Sequence, residues 1–167
     1  VERVSGIPFV QFSNERIFRP LGLTNTHWRD DFTEIVPGRA QAYSRRAAGF
    51  ALEMPFENVY GPGGLLTTVG DWLKWNDHLD RKTLGADVVD SLTTRAVLTS
   101  GRTISYARGL VVGDYRGTRE VQHSGSTGGY STFLARYPDT QLAFAVLCNV
   151  AGAPATQLTH ALVDALV

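Results

Sequence analysis

The stretch RGLVVGDYRGTREVQHSGSTGGYSTFLARYPDTQLAFAVLCN, residues 108–149, decides the fold of this chain. Runs of β-branched, aromatic and aliphatic residues alternate in it with short groups of turn-forming residues. It predicts two strands joined at residues 115–117 and two more joined at residues 138–140, because Gly, Pro and Asp favour tight turns between paired strands. Consecutive strands with such short connections indicate an antiparallel sheet.

Helical spacing of apolar residues marks the sequence on both sides of this stretch. Four segments show it: residues 7–20, 69–80, 85–98 and 153–167. The second has Thr67 or Thr68 as a possible N-cap and Asp71 in its first turn. Residues 33–60 are polar and irregular, with a possible short strand over residues 40–46. The predicted fold class is therefore α+β, an antiparallel sheet flanked by helices.

Composition excludes several classes of protein. Hydrophobic residues make up 43% and charged residues 19% of the 167, which is typical of a globular domain. Sixteen basic and sixteen acidic side chains balance, so no broad positive surface for nucleic acid is expected. The single cysteine cannot form an internal disulfide. No run approaches the roughly 20 apolar residues of a membrane span.

The segment HSGSTGG, residues 123–129, is the first candidate for chemistry. His123 is a possible base, acid or donor near neutral pH. The glycines allow close approach of a ligand to the backbone, whose N–H groups can stabilise an oxyanion. The alternative is a glycine-rich hairpin with an exposed histidine. Ser124 is not expected to pair with His123 as nucleophile and base, because adjacent strand residues point to opposite faces.

Three blocks together resemble a known family. HSGSTGGY followed by a strand, a PD turn and an apolar strand ending in LCN resembles the third motif of the serine β-lactamase and penicillin-binding-protein superfamily. Within it, the similarity is to the branch of class C β-lactamases, D-alanyl-D-alanine carboxypeptidases, D-aminopeptidases and esterases. ERIFRPLGLTNT and GPGGLLTTVGDWLKW resemble two further family segments, in the same order. The resemblance covers nearly the whole chain and implies a β-lactamase/transpeptidase-like fold.

The resemblance also implies roles for residues of this sequence. His123, Ser124 and Gly125 occupy the third motif, where they bind substrate and assist proton transfer, and the backbone N–H of Ser126 is an oxyanion donor. Histidine in place of the common lysine attracts a carboxylate less, which favours an esterase or peptidase over a dedicated β-lactamase. The resemblance also implies substrate binding near Asn149. Gly128 is a further candidate for substrate binding because glycine lets a ligand approach the backbone. Tyr60, in a glycine-rich loop before a helix, is either a substrate-binding residue or part of an ordinary loop.

The family's nucleophile motif S-x-x-K is not found in this sequence. Lys74 and Lys82 are the only lysines, and three residues before them stand Asp71 and Leu79. None of the six tyrosines begins a Y-x-N motif, and no G-x-S-x-G elbow occurs. Residues 1–167 are therefore expected to be a single partial domain, the C-terminal portion of a β-lactamase-like domain without the N-terminal strands and the nucleophile helix. Alone, it is expected to be inactive.

Two functions remain open at this point. The first is the C-terminal part of a serine hydrolase that acts through an acyl-enzyme on an ester, a D-amino-acid peptide or a β-lactam, with no metal and no organic cofactor. The second is a non-catalytic module that binds peptides or cell-wall fragments. Absent strands would leave a sheet edge free for a homodimer or strand exchange. By resemblance, the expected location is periplasmic or secreted, in a bacterium.

Overall fold

The computed structural model describes residues 1–56 and 59–166 and confirms the mixed α+β class. The first part of the chain holds short elements: helices α1 Glu2–Ser5 and α2 Phe9–Ser13, a π-helical turn Asn14–Phe18, and strands β1 His27–Trp28, β2 Tyr43–Arg46, β3 Gly49–Leu52 and β4 Leu65–Leu66. The second part holds α3 Val69–Arg81, α4 Ala86–Thr93, β5 Val111–Tyr115, β6 Thr118–Thr127, β7 Tyr130–Tyr137, β8 Leu142–Cys148 and α5 Ala155–Leu166.

The predicted meander is confirmed. Strands β5, β6, β7 and β8 lie side by side in chain order, and every neighbouring pair is antiparallel. Arg116 and Gly117 connect β5 to β6 with φ of 51° and 84°. Two positive φ values are characteristic of the type I′ turn, whose twist matches that of paired strands. Asp114 Oδ1 accepts a hydrogen bond from the Gly117 N–H at 2.9 Å and so closes this turn.

Helix α4 is shorter than predicted. The pattern predicted a helix over residues 85–98, whereas α4 ends at Thr93. The hydroxyl of Thr93 bonds to the carbonyl of Val89 at 3.0 Å, and that of Thr94 bonds to the carbonyl of Asp90 at 2.6 Å. Threonine hydroxyls that compete for helical carbonyls weaken the last turn. Beyond it, Val97 pairs with Thr103 in a hairpin-like loop.

Helices cover both faces of the sheet. On one face, Phe133, Ala135 and Tyr137 of β7 form a buried cluster with Ala155 and Val163 of α5. Burying a side chain such as Phe133 stabilises the fold by roughly 1.5–3 kcal/mol. The adjacent residues of β7 point to the other face, where α3 contacts β8 and Arg136 forms a 2.7 Å ion pair with Asp80 of α3. The sheet is thus the middle layer of the molecule.

Asp71 joins the two sequence blocks that precede the sheet. Its side chain is almost fully buried, at 1% exposure. One carboxylate oxygen accepts hydrogen bonds from the Asn25 N–H at 2.7 Å and the Thr26 hydroxyl at 2.8 Å, and the other lies 3.1 Å from Lys74 Nζ. Burial by itself would raise the pKa of Asp71, but these bonds and the lysine charge outweigh it and hold the pKa below its ordinary value.

Asp71→Asn is expected to lower the free energy of unfolding at pH 7 by about 2 kcal/mol, since a buried carboxylate loses charge-assisted hydrogen bonds. Because the folded pKa is depressed, this stabilisation is complete above the unfolded pKa of about 3.9 and disappears as pH falls through the folded value. Urea unfolding of both proteins from pH 7 to pH 3 should therefore give stability curves that converge in acid. A constant difference across this range would contradict the ionised state of Asp71.

Candidate active site

Strand β6 has a free edge over residues 123–126. Strand β5 pairs with β6 only from Thr118 to Gln122, whereas β7 pairs with it as far as Thr127. Within the described part of the chain, no strand lies against the other edge of residues 123–126, which we call the site strand. An unpaired edge presents backbone N–H and C=O groups that a ligand can bind. Residues 123–126 thus lie where a substrate can reach their backbone.

Both ring nitrogens of His123 are engaged. Nδ1 lies 2.6 Å from the carbonyl oxygen of Ser124, and Nε2 lies 3.0 Å from the hydroxyl of Tyr106. A carbonyl oxygen only accepts, so Nδ1 carries a proton. In the neutral imidazole Nε2 is then the acceptor and the Tyr106 hydroxyl donates to it. The phenol ring also contacts the imidazole edge-on, with centroids 5.8 Å apart. His123 is held in one orientation and one tautomer.

The backbone N–H of Ser126 points to the same edge as His123. Residues two apart on a strand direct their N–H and C=O groups to the same side. The Ser124 carbonyl meets the imidazole of His123 on that side, so the N–H of Ser126 faces it as well. The bond from His123 goes to the backbone of Ser124, and the Ser124 side chain lies opposite Phe133, on the α5 face of the sheet. An N–H donor and an imidazole therefore share one edge.

Three glycines of the segment are explained by close packing. A Cβ on Gly125 would lie 2.5 Å from Thr132 Oγ1 of β7. Gly128, with φ of 50°, would place a Cβ 2.8 Å from the Glu53 carbonyl oxygen, and Gly129 would place one 2.4 Å from the Tyr43 nitrogen. The tip of the β6–β7 hairpin thus packs directly on the backbone at the start of β2 and after the end of β3. Gly128 was expected to bind substrate, and its observed neighbours are backbone atoms of the chain itself.

Tyr60 and Asn149 lie apart from His123. Tyr60 packs against Phe9 and Trp28, and its hydroxyl donates a hydrogen bond to the Asp30 carboxylate, which raises the pKa of Tyr60 to about 12. Asn149 donates its side-chain amide to the Gln41 carbonyl at 2.8 Å. No hydrogen bond or ring contact among residues 1–56 and 59–166 joins either side chain to His123. Their predicted roles in substrate binding remain predictions.

Tyr106 is the site residue that the sequence motifs do not indicate. It lies on the loop that precedes β5, where its carbonyl accepts from the Ala96 N–H at 2.9 Å and its backbone pairs with Val111. Val111 in turn pairs with Gln122, the residue before His123. The pairing of β5 with β6 therefore carries Tyr106 to the start of the free edge. The strand register identifies Tyr106 as a site residue, and no sequence motif does so.

Tyr106→Phe is expected to make the orientation and tautomer of the His123 imidazole less fixed, because Nε2 loses a hydrogen bond worth about 1 kcal/mol. The ring ¹⁵N shifts of His123, recorded where the imidazole is neutral, should move from a distinct Nδ1–H tautomer toward an average of both tautomers. Tyr115→Phe is the matched control, since Tyr115 stacks on His160 instead. Unchanged His123 shifts in Tyr106→Phe would mean that the bond is not formed in solution.

The described ranges contain neither a metal-binding cluster nor a membrane-spanning helix. Among residues 1–56 and 59–166, no group of three or more His, Cys, Asp and Glu side chains is arranged to hold a metal ion. In the same ranges, none of the helices has the length and apolar character needed to cross a membrane.

The whole chain resembles known proteins. The family model described as Beta-lactamase matches residues 1–167. The octameric penicillin-binding protein homologue from Pyrococcus abyssi is 24% identical with a TM-score of 0.84, over 99% of this chain and 39% of its own. The penicillin binding protein from Bacillus halodurans is 21% identical with a TM-score of 0.78, over 99% and 51%.

A D-stereospecific amidohydrolase from Streptomyces sp. is 21% identical with a TM-score of 0.73, over 93% of this chain and 48% of its own. These similarities show a β-lactamase/transpeptidase-like fold. The chain spans about two fifths to one half of the length of these three structures. Among curated proteins, none matches it significantly.

Proposed function

This chain belongs to the Beta-lactamase family, a family of serine hydrolases, and from this we propose that it forms one wall of the active site of a hydrolase that acts through an acyl-enzyme. The observation that carries the proposal is the free edge of the site strand, where the N–H of Ser126 and the imidazole of His123 face the same side. A substrate carbonyl placed along this edge meets a hydrogen-bond donor and a proton-transfer group together.

The proposed reaction has two steps. A serine hydroxyl attacks the substrate carbonyl, and the N–H of Ser126 helps to stabilise the tetrahedral oxyanion. The leaving group departs with a proton, and the acyl group stays on the serine as an ester. Water then attacks this ester and releases the acid and the free serine. His123 serves as the group beside the reacting atoms that positions substrate and exchanges protons.

We place the nucleophile outside residues 1–167. The sequence contains neither S-x-x-K nor Y-x-N, and the similar structures extend over about twice its length. The proposed arrangement is therefore a C-terminal portion that completes its site with a serine from further residues of the same polypeptide. The name of the Streptomyces protein, an amidohydrolase, agrees with an amide or ester substrate for this chain, as does histidine in the third motif.

A non-catalytic module remains the second candidate. This second candidate is favoured by the outer edge of β8, which pairs with no strand within the described residues. An open edge over Leu142–Cys148 can accept a strand from further residues of the polypeptide or from a second copy. The similar protein from Pyrococcus abyssi is octameric. Size-exclusion chromatography with light scattering distinguishes a monomer from an assembly formed through this edge.

A fluorophosphonate probe tests the hydrolase proposal. The sample is the polypeptide that carries residues 1–167 together with any residues before or after them, which we call the complete polypeptide. Peptide mapping by mass spectrometry is expected to find one adduct, on a serine outside residues 1–167. An adduct on Ser124 or Ser126 would make the site strand itself the source of the nucleophile. No adduct on folded complete polypeptide would favour the non-catalytic module.

A further inference from the structure

A cavity of about 270 Å³ adjoins the site strand. It lies between the end of β6, the start of β7 and the N-terminal end of α5. Ser124 and Ser126 line it from the strand, and Thr156 and Gln157 line it from the helix. Because three residues of the site strand, Ser124, Gly125 and Ser126, form its wall, the cavity adjoins the candidate active site. It is placed to receive the part of a substrate that adjoins the reacting carbonyl.

The polar groups of this cavity are hydroxyls and an amide. Ser131 and Thr132 already direct their hydroxyls to backbone carbonyls, those of Val150 and Gly125. Within the described part of the chain, the hydroxyls of Ser124 and Ser126 and the side chains of Thr156 and Gln157 remain for a ligand. Each of these groups both donates and accepts hydrogen bonds. Such a lining matches an uncharged polar group, which also both donates and accepts.

The cavity offers no fixed positive charge. None of the described residues that line it carries a formal charge. A carboxylate that leaves water needs a cation or several converging N–H donors to replace its hydration. His123 directs its two ring nitrogens to Ser124 O and to the Tyr106 hydroxyl, not into the cavity.

The N-terminal end of α5 does not supply this charge. Pro154 has no N–H, and the N–H of Ala155 is already bonded to the Ala153 carbonyl at 2.8 Å. The remaining helix dipole is a partial charge that solvent screens at an open site, and Ser124 and Ser126 are exposed. A hydroxyl, a carboxamide or an ester is therefore better accommodated here than a carboxylate.

We propose that the substrate carries an uncharged group in this cavity, next to the bond that is cleaved. The inference rests on the proposed hydrolase function and narrows its substrate class. Simple esters and amino-acid amides meet the requirement. β-Lactams and peptides cleaved at a free C-terminus do not, because each carries a carboxylate close to the scissile bond.

Two esters that differ only in this charge provide the test. Both are phenylacetyl esters, one of 3-hydroxybenzamide and one of 3-hydroxybenzoic acid, so that the acyl group and the shape of the leaving group are matched. With the complete polypeptide, kcat/KM is expected to be at least about tenfold higher for the carboxamide ester. Thr156→Lys places an ammonium in the cavity and is expected to shift this ratio toward the carboxylate ester by about tenfold. Thr140→Lys, on the β7–β8 turn at the other end of β7, should leave the ratio unchanged.

The outcomes separate the two proposals. If both esters are hydrolysed and the carboxylate ester is preferred, the uncharged cavity is wrong while the hydrolase stands. An unchanged ratio in folded Thr156→Lys, as judged by circular dichroism, would also count against it. If Thr156→Lys does not fold, the ratio of the wild-type protein alone decides. If neither ester is hydrolysed and no fluorophosphonate adduct forms, the hydrolase proposal fails and this inference falls with it.

Discussion

Replacing His123 by alanine is expected to lower kcat/KM of the complete polypeptide by about 10²- to 10⁴-fold, the usual contribution of a positioned acid–base group. The imidazole is fixed by the Ser124 carbonyl and by Tyr106, on the same edge as the N–H of Ser126. The variant keeps that N–H, so residual activity from oxyanion stabilisation is expected. Initial rates of ester hydrolysis between pH 5 and pH 9 measure the loss and its dependence on protonation.

Gln122→Ala is the matched control for His123. Gln122 precedes His123 on the same strand and pairs with Val111 and Ala135, so its side chain points to the opposite face of the sheet. Rates within about twofold of wild type are expected for this variant, since the half-buried Gln122 side chain forms no hydrogen bond among the described residues and such side chains contribute little. If His123→Ala is as active as Gln122→Ala, then His123 takes no part in the reaction, and the free edge of the site strand has another use.

Gly129→Ala is expected to destabilise the fold by about 3 kcal/mol, at the upper end of typical overpacking costs. The added Cβ would lie 2.4 Å from the Tyr43 nitrogen, 2.6 Å from its carbonyl oxygen and 2.8 Å from the Ala42 carbonyl carbon. All three are backbone atoms, so relief requires that the β6–β7 hairpin and β2 move apart. The N–H of Gly129 also donates to the Glu53 carbonyl at 2.7 Å, and this bond would lengthen.

Gly113→Ala provides the comparison for this effect. Gly113 is an exposed residue of β5, no described atom outside its chain neighbours lies within 4 Å of an added Cβ, and its φ is not positive. Gly113→Ala is expected to change the free energy of unfolding of the protein by less than about 0.5 kcal/mol. Urea denaturation at neutral pH measures both variants. If the two glycines tolerate alanine equally, the hairpin tip does not pack against Tyr43 in solution, and the position of the site strand depends on other contacts.

The two family-like segments before the sheet are ERIFRPLGLTNT and GPGGLLTTVGDWLKW. Their contacts stabilise the fold more than they contribute to the chemistry of the site. Asp71 accepts from Asn25 and Thr26, and Lys74 Nζ donates to the Gly22 carbonyl at 2.6 Å, so both contacts tie α3 to the loop before β1. The sequence placed Asp71 in the first turn of a helix. It could not place Asn25 and Thr26 beside that turn, because 46 and 45 residues separate them from Asp71.

The sequence by itself determined strands β5 to β8, two of the turns between them and the approximate positions of helices α3, α4 and α5. Period-two apolar runs and tight turns are local properties, so β5 to β8 and their antiparallel order could be predicted from residues 108–149 alone. The resemblance to the family's third motif predicted that His123 lies on a strand. Because side chains alternate between the two faces of a strand, the side chains of His123 and Ser124 were predicted to point apart. Each of these conclusions depends on residues within a few positions of one another.

Only the tertiary structure decided what surrounds the site strand. Pairing of β5 with β6 brings Tyr106 to His123, and packing of the hairpin tip against Tyr43 explains Gly129. The side chains of Tyr60 and Asn149 bond to Asp30 and Gln41, partners that the sequence did not predict. Such contacts join residues far apart in the chain. They are fixed by strand register and by which surfaces pack together, and no local pattern of residues encodes either.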